Sequence, residues 1–217
     1  MRYFIAAPVA RPAPETFPFK EIYIDHAYDR DPDFVARPGW VVIDAGANVG
    51  IFAVQQAQRG ARVIALEPNP QCLRRLRATI KANDLFAITP VDSALGAEPG
   101  TARLSVDPVD TGGSVVNRGR EEIRAFDVRV ERLDDVIDRF GIDRVDLLKM
   151  DVEGAEADLL RGARRALQLI QRVVFEYHSH ALLEQCADLL EAAGFVCRGS
   201  RDTWPDSGIG VAYFSRK

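Results

Sequence analysis

The chain has 217 residues, of which 47% are hydrophobic and 28% are charged, values typical of one folded domain with a sizeable core. Its net charge of -4 argues against nucleic acid as a partner, because nucleic-acid binders usually carry a basic surplus. The sequence contains no apolar stretch of the roughly 20 residues that span a bilayer, and its three cysteines lack metal-site spacing. We therefore expect a cytoplasmic protein with reduced thiols and no membrane partner.

Residues 1–39 are rich in proline and aromatic residues, which favours an extended arm or lid. One short strand is predicted within it, at residues 21–24. Tyr28 is the arm residue that we expect to contact a bound small molecule. A lid over the site and a contact in a homodimer are both compatible with this composition. Residues 40–217 are predicted to form the main domain.

From Trp40 onward, short apolar runs alternate with helical patterns, which predicts β–α–β units around a parallel sheet. Strands are predicted at residues 41–44, 62–66, 88–92, 145–150 and 172–176. Helices are predicted at residues 52–59, 70–83, 133–140, 155–167 and 180–193. A C-terminal antiparallel hairpin is predicted from residues 195–198 and 210–214. Between these elements, residues 101–130 are less regular, with two candidate strands around a glycine-containing loop.

The first strand ends in a turn with the sequence DAGANVG, residues 44–50. Gly46 would let a ligand approach the backbone closely, and Gly50 would let the next helix pack against the strand. Asp44 would repel a pyrophosphate but would accept hydrogen bonds from a cationic amino group. Asn48 is expected near the carboxylate of the same ligand. The turn therefore favours a ligand with an amino-acid end.

Two later strand ends carry residues that suit a nucleoside. Glu67 lies about 20 residues after the turn, where a carboxylate typically accepts both ribose hydroxyls. Asp92 and Ser93 follow the third strand, and the side chain of either residue could hydrogen-bond an adenine. A nucleoside with an amino-acid tail and no diphosphate is S-adenosylmethionine. These residues therefore predict S-adenosylmethionine as the cofactor.

The fourth strand leads into a second acidic motif, KMDVEGAEAD. Asp151 and Glu153 lie at the end of this strand, where doubly wound sheets bind ligands. Lys149 should point to the same sheet face as Asp151 and neutralise part of the acidic cluster. Glu156 and Asp158 fit the general preference of acids for the first turn of a helix.

The fifth strand ends in VVFEYHSH, and alternation places Glu176, His178 and His180 on one face. That face should also hold Asp151, because the fourth and fifth strands are expected to be neighbours. A hydroxyl that accepts a methyl group from this cofactor could be activated in two ways. His178 could act as the general base, oriented by Glu176 or Asp151, since imidazoles titrate near neutral pH. Alternatively, Mg²⁺ could bind to Asp151, Glu153 and Glu176.

Several blocks of the sequence resemble one enzyme family. VVIDAGANVG is similar to the first motif of class I methyltransferases. Downstream, the chain resembles successive blocks of the FkbM family of S-adenosylmethionine-dependent methyltransferases, in ALEPNP, SALGAEPG, TGGSV, VERLDDVI and VDLLKMDVEGAEADLLRGA. The resemblance spans residues 21–195. It implies an α/β fold with a doubly wound, mostly parallel, seven-stranded Rossmann-like sheet, and methyl transfer to a hydroxyl of a sugar, polyketide or similar natural product.

The loop DTGGSVVNRG is the predicted lid on the acceptor side. Ser114 in this loop and Glu153 are expected to contact a small-molecule acceptor, as is Tyr28. Two alternatives to an O-methyltransferase remain. An NAD(P)-dependent oxidoreductase would favour GxGxxG where this chain reads DAGANVG. A non-catalytic cofactor-binding or scaffold subunit would keep the fold without the reaction.

Overall fold

The computed structural model describes residues 16–106, 113–114, 124–203 and 207–216. The strands in these ranges are β1 (Val41–Ala45), β2 (Arg62–Leu66), β3 (Ile88–Val91), β4 (Ala94–Leu95), β5 (Gly100–Val106), β6 (Gly113–Ser114), β7 (Arg124–Glu131), β8 (Leu147–Met150), β9 (Arg172–Tyr177), β10 (Phe195–Asp202) and β11 (Gly210–Arg216). The α-helices are α1 (Thr16–Tyr23), α2 (Ile51–Gln58), α3 (Pro70–Ala82), α4 (Leu133–Arg139), α5 (Glu156–Arg161), α6 (Ala166–Leu169) and α7 (His180–Ala192). None of these helices is long and apolar enough to cross a bilayer.

Seven strands form the main sheet in the order β10, β11, β9, β8, β1, β2, β3. Strands β9, β8, β1, β2 and β3 are mutually parallel, and β11 runs antiparallel to both β9 and β10. The predicted doubly wound α/β sheet with a C-terminal hairpin is therefore confirmed. Because β1 separates β2 from β8, the direction of the crossovers reverses at β1, which is where such sheets bind ligands.

The parallel strands are apolar because both faces of the sheet are covered. In β1, Val42 packs into one core cluster and Ile43 into the other, and both are fully buried. Asp44 pairs in register with Lys149 of β8, so these two polar residues share the face of Val42. In β1 and β8, charged side chains therefore occur only near the carboxyl ends, at the edge where the ligand crevice is expected.

The described part of the N-terminal arm packs into the domain core. The strand predicted at residues 21–24 is wrong, because this segment belongs to α1. Phe19 and Tyr23 stack on each other at helical spacing, with ring centroids 4.8 Å apart, while Ile22 is buried. Farther along the arm, Tyr28 and Phe34 are buried in the same core cluster as Val42. Residues 1–15 of the predicted arm lie outside the described residues.

A second, smaller sheet contains β4, β7, β5 and β6 in that order. The two strands predicted in the less regular region are confirmed, since β5 and β7 pair antiparallel along their length. The backbone of Ser114 pairs with Ser105. The rest of the predicted acceptor lid, residues 110–112 and 115–119, lies outside the described residues.

The helix predicted at residues 155–167 is divided into α5 and α6. The division occurs at Gly162, where a Cβ atom would lie 2.1 Å from the backbone oxygen of Gly96. The chain at Gly162 is thus pressed against the segment that follows β4. This contact joins the second sheet to the main domain, and no larger residue would fit without moving one of the two backbones.

Candidate active site

A cleft opens at the carboxyl end of the main sheet, above the point where β1 separates β8 from β2. The second sheet contributes Leu104 to its wall. The predicted site residues that line it are Gly46, Asn48, Glu67, Ser93, Asp151 and Glu153. The cleft therefore gathers residues from the ends of β1, β2, β3 and β8, and its role as a cofactor site stays a prediction.

Both glycines of the first turn have positive φ angles that favour glycine, and at Gly46 the neighbouring backbone also excludes a side chain. A Cβ atom on Gly46 would lie 1.8 Å from the backbone oxygen of Asp151, and its φ of +77° also favours glycine. Gly46 therefore lets the ends of β1 and β8 approach each other. A Cβ atom on Gly50 would lie 2.4 Å from Cδ1 of Leu76. The neighbour of Gly50 is thus a side chain of α3, which corrects the expected helix-to-strand contact.

Glu67 fixes the backbone of the turn after β1. Its Oε2 accepts the N–H of Asn48 at 2.7 Å, and its Oε1 accepts the N–H of Asn69 at 2.7 Å. Burial raises the pKa of Glu67 to about 7, although both backbone donors act in the opposite direction. Each carboxylate oxygen has a second lone pair, so Glu67 can still accept hydrogen bonds from ligand hydroxyls.

We expect Glu67 to make the stability of the protein depend on pH. Its pKa rises from 4.5 to about 7 on folding, so the folded state retains a proton that the unfolded chain has lost between these values. The stabilisation is present below pH 4.5 and is lost as the pH rises through about 7. The free energy of unfolding is measured with urea at pH 5 and at pH 8. It should differ less between these two pH values in Glu67→Gln than in the unmodified protein. Glu184→Gln, at an exposed position of α7, controls for the change of residue type. Equal differences for Glu67→Gln and the unmodified protein would contradict this expectation.

Two buried polar atoms in the cleft, Oδ1 of Asn48 and Oγ of Ser93, have no hydrogen-bond partner among the described residues. Burying a polar atom in this way costs free energy unless a ligand or water binds it. Ser93 is fully buried and lines the cleft, whereas Asp92 is exposed and does not. Of the two residues predicted near an adenine, Ser93 is the one that faces the cleft.

Asp44 and Lys149 form a buried ion pair behind the cleft wall. Oδ1 of Asp44 lies 3.2 Å from Nζ of Lys149, which also donates to the backbone oxygen of Gly46 at 2.9 Å. The same ammonium lies 3.5 Å from Oδ2 of Asp151. Although burial disfavours its charge, the Asp44 and Asp151 carboxylates raise the pKa of Lys149. The predicted neutralisation by Lys149 is confirmed. Asp44 is not among the residues that line the cleft, and its contact with a cofactor stays a prediction.

Asp151 is the centre of a polar cluster beside the cleft. The hydroxyl of Tyr28 donates to its Oδ2 at 3.2 Å, and Glu176 shares a side-chain hydrogen bond with it. Burial, reinforced by the Asp151 charge, raises the pKa of Glu176 to about 10. Glu176 is therefore neutral and donates a hydrogen bond to the ionised Asp151. Burial disfavours the Asp151 charge, but Lys149, His178 and these hydrogen bonds hold the pKa of Asp151 below its usual value.

His178 lies at the edge of this cluster and is mostly buried. Its Nε2 is 3.5 Å from Oε2 of Glu153, which lines the cleft. Its Nδ1 is 3.8 Å from Oε1 of Glu156. The two ring nitrogens therefore face different carboxylates, and Nε2 is the nitrogen on the cleft side.

Glu156 has a larger structural role than the sequence indicated. It is fully buried, and its Oε1 accepts the N–H groups of Val152 at 3.0 Å and Gly154 at 3.3 Å. These bonds shape the loop that carries Asp151 and Glu153, where Glu153 itself has a φ of +57°. Glu156 and Asp158 both lie in the first turn of α5, as the sequence interpretation indicated. Glu156 has this additional structural role, whereas the side chain of Asp158 is 60% exposed.

Two predicted site residues lie elsewhere than expected. His180 is separate from the Asp151 cluster, because β9 ends at Tyr177 and Ser179 caps α7, so strand alternation stops before His180. Its Nε2 lies 3.2 Å from Oδ1 of Asp202. Tyr28, the expected acceptor contact, is buried beside Asp151 and does not line the cleft. In this structure it holds Asp151 in position.

The predicted metal set changes by one residue. Among the described residues, Asp151, Glu153 and His178 have donor atoms that all lie within 4.8 Å of one another. His178 therefore takes the place of Glu176 in the expected set. Two carboxylates and an imidazole suit a transition metal better than they suit Mg²⁺.

The sequence interpretation missed Glu21, which α1 brings next to this cluster. Burial, together with the Asp151 charge, raises the pKa of Glu21 to about 7. The available signal was the helical spacing of Phe19, Ile22 and Tyr23. That spacing turns Ile22 into the core and leaves Glu21 facing the carboxyl end of the sheet, next to Asp151.

Comparison with known proteins identifies the family of this chain. Residues 44–197 match the sequence model of the Methyltransferase FkbM domain. The chain is 31% identical to Methyltransferase sdnD of Sordaria araneosa, over 88% of this chain and 86% of the relative. It is 30% identical to the 31-O-demethyl-FK506 methyltransferase FkbM of Streptomyces tacrolimicus, over 86% of this chain and 84% of the relative. Fibrillarin of Aeropyrum pernix, solved with natively bound S-adenosyl-L-methionine, shares the fold with a TM-score of 0.53 at 15% identity, covering 83% of this chain and 67% of that chain. This chain therefore belongs to the FkbM family of methyltransferases.

Proposed function

We propose that the protein transfers the methyl group of S-adenosylmethionine to a hydroxyl of a small-molecule acceptor. The observation that carries this proposal is the position of His178 and Asp151 beside a cleft whose polar atoms on Asn48 and Ser93 lack partners among the described residues. The Streptomyces tacrolimicus relative, named as a 31-O-demethyl-FK506 methyltransferase, supports oxygen as the attacking atom.

The donors and acceptors in the cleft fit S-adenosylmethionine. Glu67 would accept the ribose hydroxyls, Ser93 would bind the adenine, and Asn48 would bind the methionine end. When bound, this cofactor supplies an electrophilic methyl group on a sulfonium. The apolar part of the wall, including Leu66 and Leu104, would exclude water from the base and sulfonium.

His178 would remove the proton from the acceptor. A hydroxyl has a high pKa, so attack on a methyl group requires a base at the moment of transfer. We assign Nε2 of His178 as the atom that takes up the proton of the acceptor, because this nitrogen faces Glu153 and the cleft. Glu156 lies on the Nδ1 side of the ring, where its carboxyl group can orient the imidazole and stabilise its cationic form.

The proposal is tested by calorimetric titration with S-adenosylhomocysteine. We expect one binding site per chain, weakened by Ser93→Ala because the variant loses a buried hydroxyl of the cleft. A parallel fluorescence titration with NADH should show no binding, which separates the protein from an oxidoreductase. Absence of S-adenosylhomocysteine binding would overturn the proposal. Binding without turnover on any fraction of metabolites from the host would favour a scaffold subunit.

A second mechanism is favoured by the donor set of Asp151, Glu153 and His178. A divalent cation held by these residues, Mg²⁺ or a transition metal, would supply a Lewis acid in place of the base. Dialysis against EDTA distinguishes the two mechanisms. Base catalysis predicts full activity after dialysis, whereas metal catalysis predicts loss of activity and its recovery on addition of Mn²⁺.

A further inference from the structure

Tyr28 connects the N-terminal arm to the wall of the cleft. Its hydroxyl donates to Oδ2 of Asp151 at 3.2 Å, across 123 residues of sequence. The side chain is buried, and its ring packs edge-on against Phe52, with ring centroids 5.6 Å apart. The Lys149 ammonium lies 5.4 Å from the centroid of the same ring. These contacts hold the phenol in place, with its hydroxyl on Asp151.

The arm on either side of this tyrosine is fixed to the domain by contacts away from the cleft. Asp29 is buried and forms an ion pair with Arg59, which follows α2, at 2.5 Å. The hydroxyl of Tyr213 in β11 donates to the backbone oxygen of Ala27. None of the arm residues that the structure describes lines the cleft. The arm can therefore influence a ligand in the cleft through the wall, which it reaches by the hydrogen bond to Asp151.

Asp151 brings a negative charge to this wall. Its side chain is 26% exposed and lines the cleft. The Lys149 ammonium lies 3.5 Å from Oδ2 of Asp151 and 3.2 Å from Oδ1 of Asp44, so one cation faces two carboxylates. The cation compensates one of these charges, and the other remains at the wall of the cleft. A cation bound in the cleft would be attracted to it, because charges in a partly buried site are screened weakly.

We propose that Tyr28 is a positioning residue for the methyl donor: it holds the Asp151 carboxylate toward the cleft, where the negative charge favours a sulfonium over a neutral thioether. This inference rests on the proposed methyl transfer and adds a means of distinguishing donor from product. S-adenosylmethionine carries a positive charge on sulfur that S-adenosylhomocysteine lacks, and the two molecules otherwise differ by one methyl group. A carboxylate held at the wall would therefore favour retention of the donor and release of the product.

Calorimetric titrations of the full chain with both molecules test the positioning role. The protein is first dialysed against EDTA, so that no divalent cation offsets the Asp151 charge. In Tyr28→Phe, which keeps the ring, we expect the ratio of the S-adenosylhomocysteine Kd to the S-adenosylmethionine Kd to fall by about fivefold to tenfold. An unchanged ratio would overturn the proposal.

Tyr23→Phe is the matched control. Tyr23 lies in α1 of the same arm, and its hydroxyl is 3.5 Å from Oε1 of Gln58 at an exposed position. This variant loses a hydroxyl from the arm without affecting Asp151, so it should keep the ratio of the unmodified protein. An equal fall in the two tyrosine variants would show a general effect of the arm and would overturn the specific role of Tyr28.

A double-mutant cycle separates positioning from a structural effect. Asp151→Asn removes the charge and should lower the same ratio at least as much as Tyr28→Phe does. In the Asp151→Asn background, Tyr28→Phe should cause no further fall, because the hydroxyl then has no carboxylate to hold. Additive falls in the double variant would contradict the positioning role.

Hydrogen exchange tests the same coupling in the unmodified protein. If the arm contact favours the donor over the product, the donor must stabilise the arm contact more than the product does, because the two equilibria are linked. The N–H groups of Ala27 and Asp29 donate to the backbone oxygens of Glu21 and His26. We expect these two amides to exchange more slowly with saturating S-adenosylmethionine than with saturating S-adenosylhomocysteine. Equal exchange rates with the two ligands would overturn the proposal.

The titrations also separate this inference from the proposed function. If both molecules bind and the ratio is the same in Tyr28→Phe and the unmodified protein, the positioning role fails and the proposed methyl transfer stands. If neither molecule binds, the proposed function fails and the positioning role falls with it.

Discussion

Replacing His178 by Gln is expected to lower kcat for methyl transfer by about 10²–10⁴-fold, because the acceptor hydroxyl loses its general base. The side chain is mostly buried, and a glutamine can still contact Glu153, so the fold should be retained. The affinity for S-adenosylhomocysteine should change little, since His178 does not line the cofactor cleft. Single-turnover transfer from S-adenosylmethionine carrying a labelled methyl group measures the chemical step directly.

The matched control is His180→Gln. His180 begins α7, has a side chain that is 61% exposed and contacts Asp202 instead of the Asp151 cluster. This variant should keep a kcat close to that of the unmodified protein. An equal loss of activity in the two variants, or full activity in His178→Gln, would refute the assignment of the base.

Replacing Lys149 by Met is expected to lower the free energy of unfolding by about 3–5 kcal/mol, because the substitution leaves a buried carboxylate without its cation. Asp44 is fully buried, and Lys149 is its ion-pair partner at 3.2 Å. Methionine can keep the packing against the rings of Tyr28 and Phe52, which lie near the ammonium. Urea denaturation at neutral pH measures the loss.

The double variant Lys149→Met with Asp44→Asn separates charge from packing. It removes the Asp44 carboxylate while keeping the size of both side chains similar, and Asp151, 3.5 Å from the ammonium, keeps its charge. We expect it to be more stable than the Lys149→Met single variant. Equal stability of the single and double variants would show that the Asp44 charge does not cause the loss, and the explanation by the Asp44–Lys149 ion pair would then be wrong.

The strand ends were predictable from the sequence because they depend on local periodicity. Asp44, Glu67 and Asp151 each follow an apolar run, and parallel strands bring their carboxyl ends to one edge of the sheet. The spacing of Lys149 and Asp151 likewise predicted that they share a face. These inferences needed only the period of two residues in a strand and the usual neighbours in a doubly wound sheet.

The remaining features depend on where an element ends or on contacts between distant segments. Strand alternation placed His180 beside Asp151 on the assumption that β9 continues to residue 180. This placement is wrong, because Ser179 caps α7 and ends the alternation. The sequence places Glu156 in the first turn of a helix but does not show that it is buried. Its burial results from the loop whose Val152 and Gly154 N–H groups donate to its carboxylate. Glu21 reaches the site through the packing of α1 against α2, a contact between distant segments that the helical spacing of Phe19, Ile22 and Tyr23 does not reveal by itself.

The cleft and the contact between the arm and the hairpin are expected to form at different stages of folding. Ala27 and Tyr213, which share a hydrogen bond, are 186 residues apart in the chain. Closing so large a loop costs more entropy than the nearer pairings of β1 with β2 and β8. During synthesis, the cleft above β1 can thus assemble from residues already made, while the contact of the arm with β11 must wait for the final hairpin.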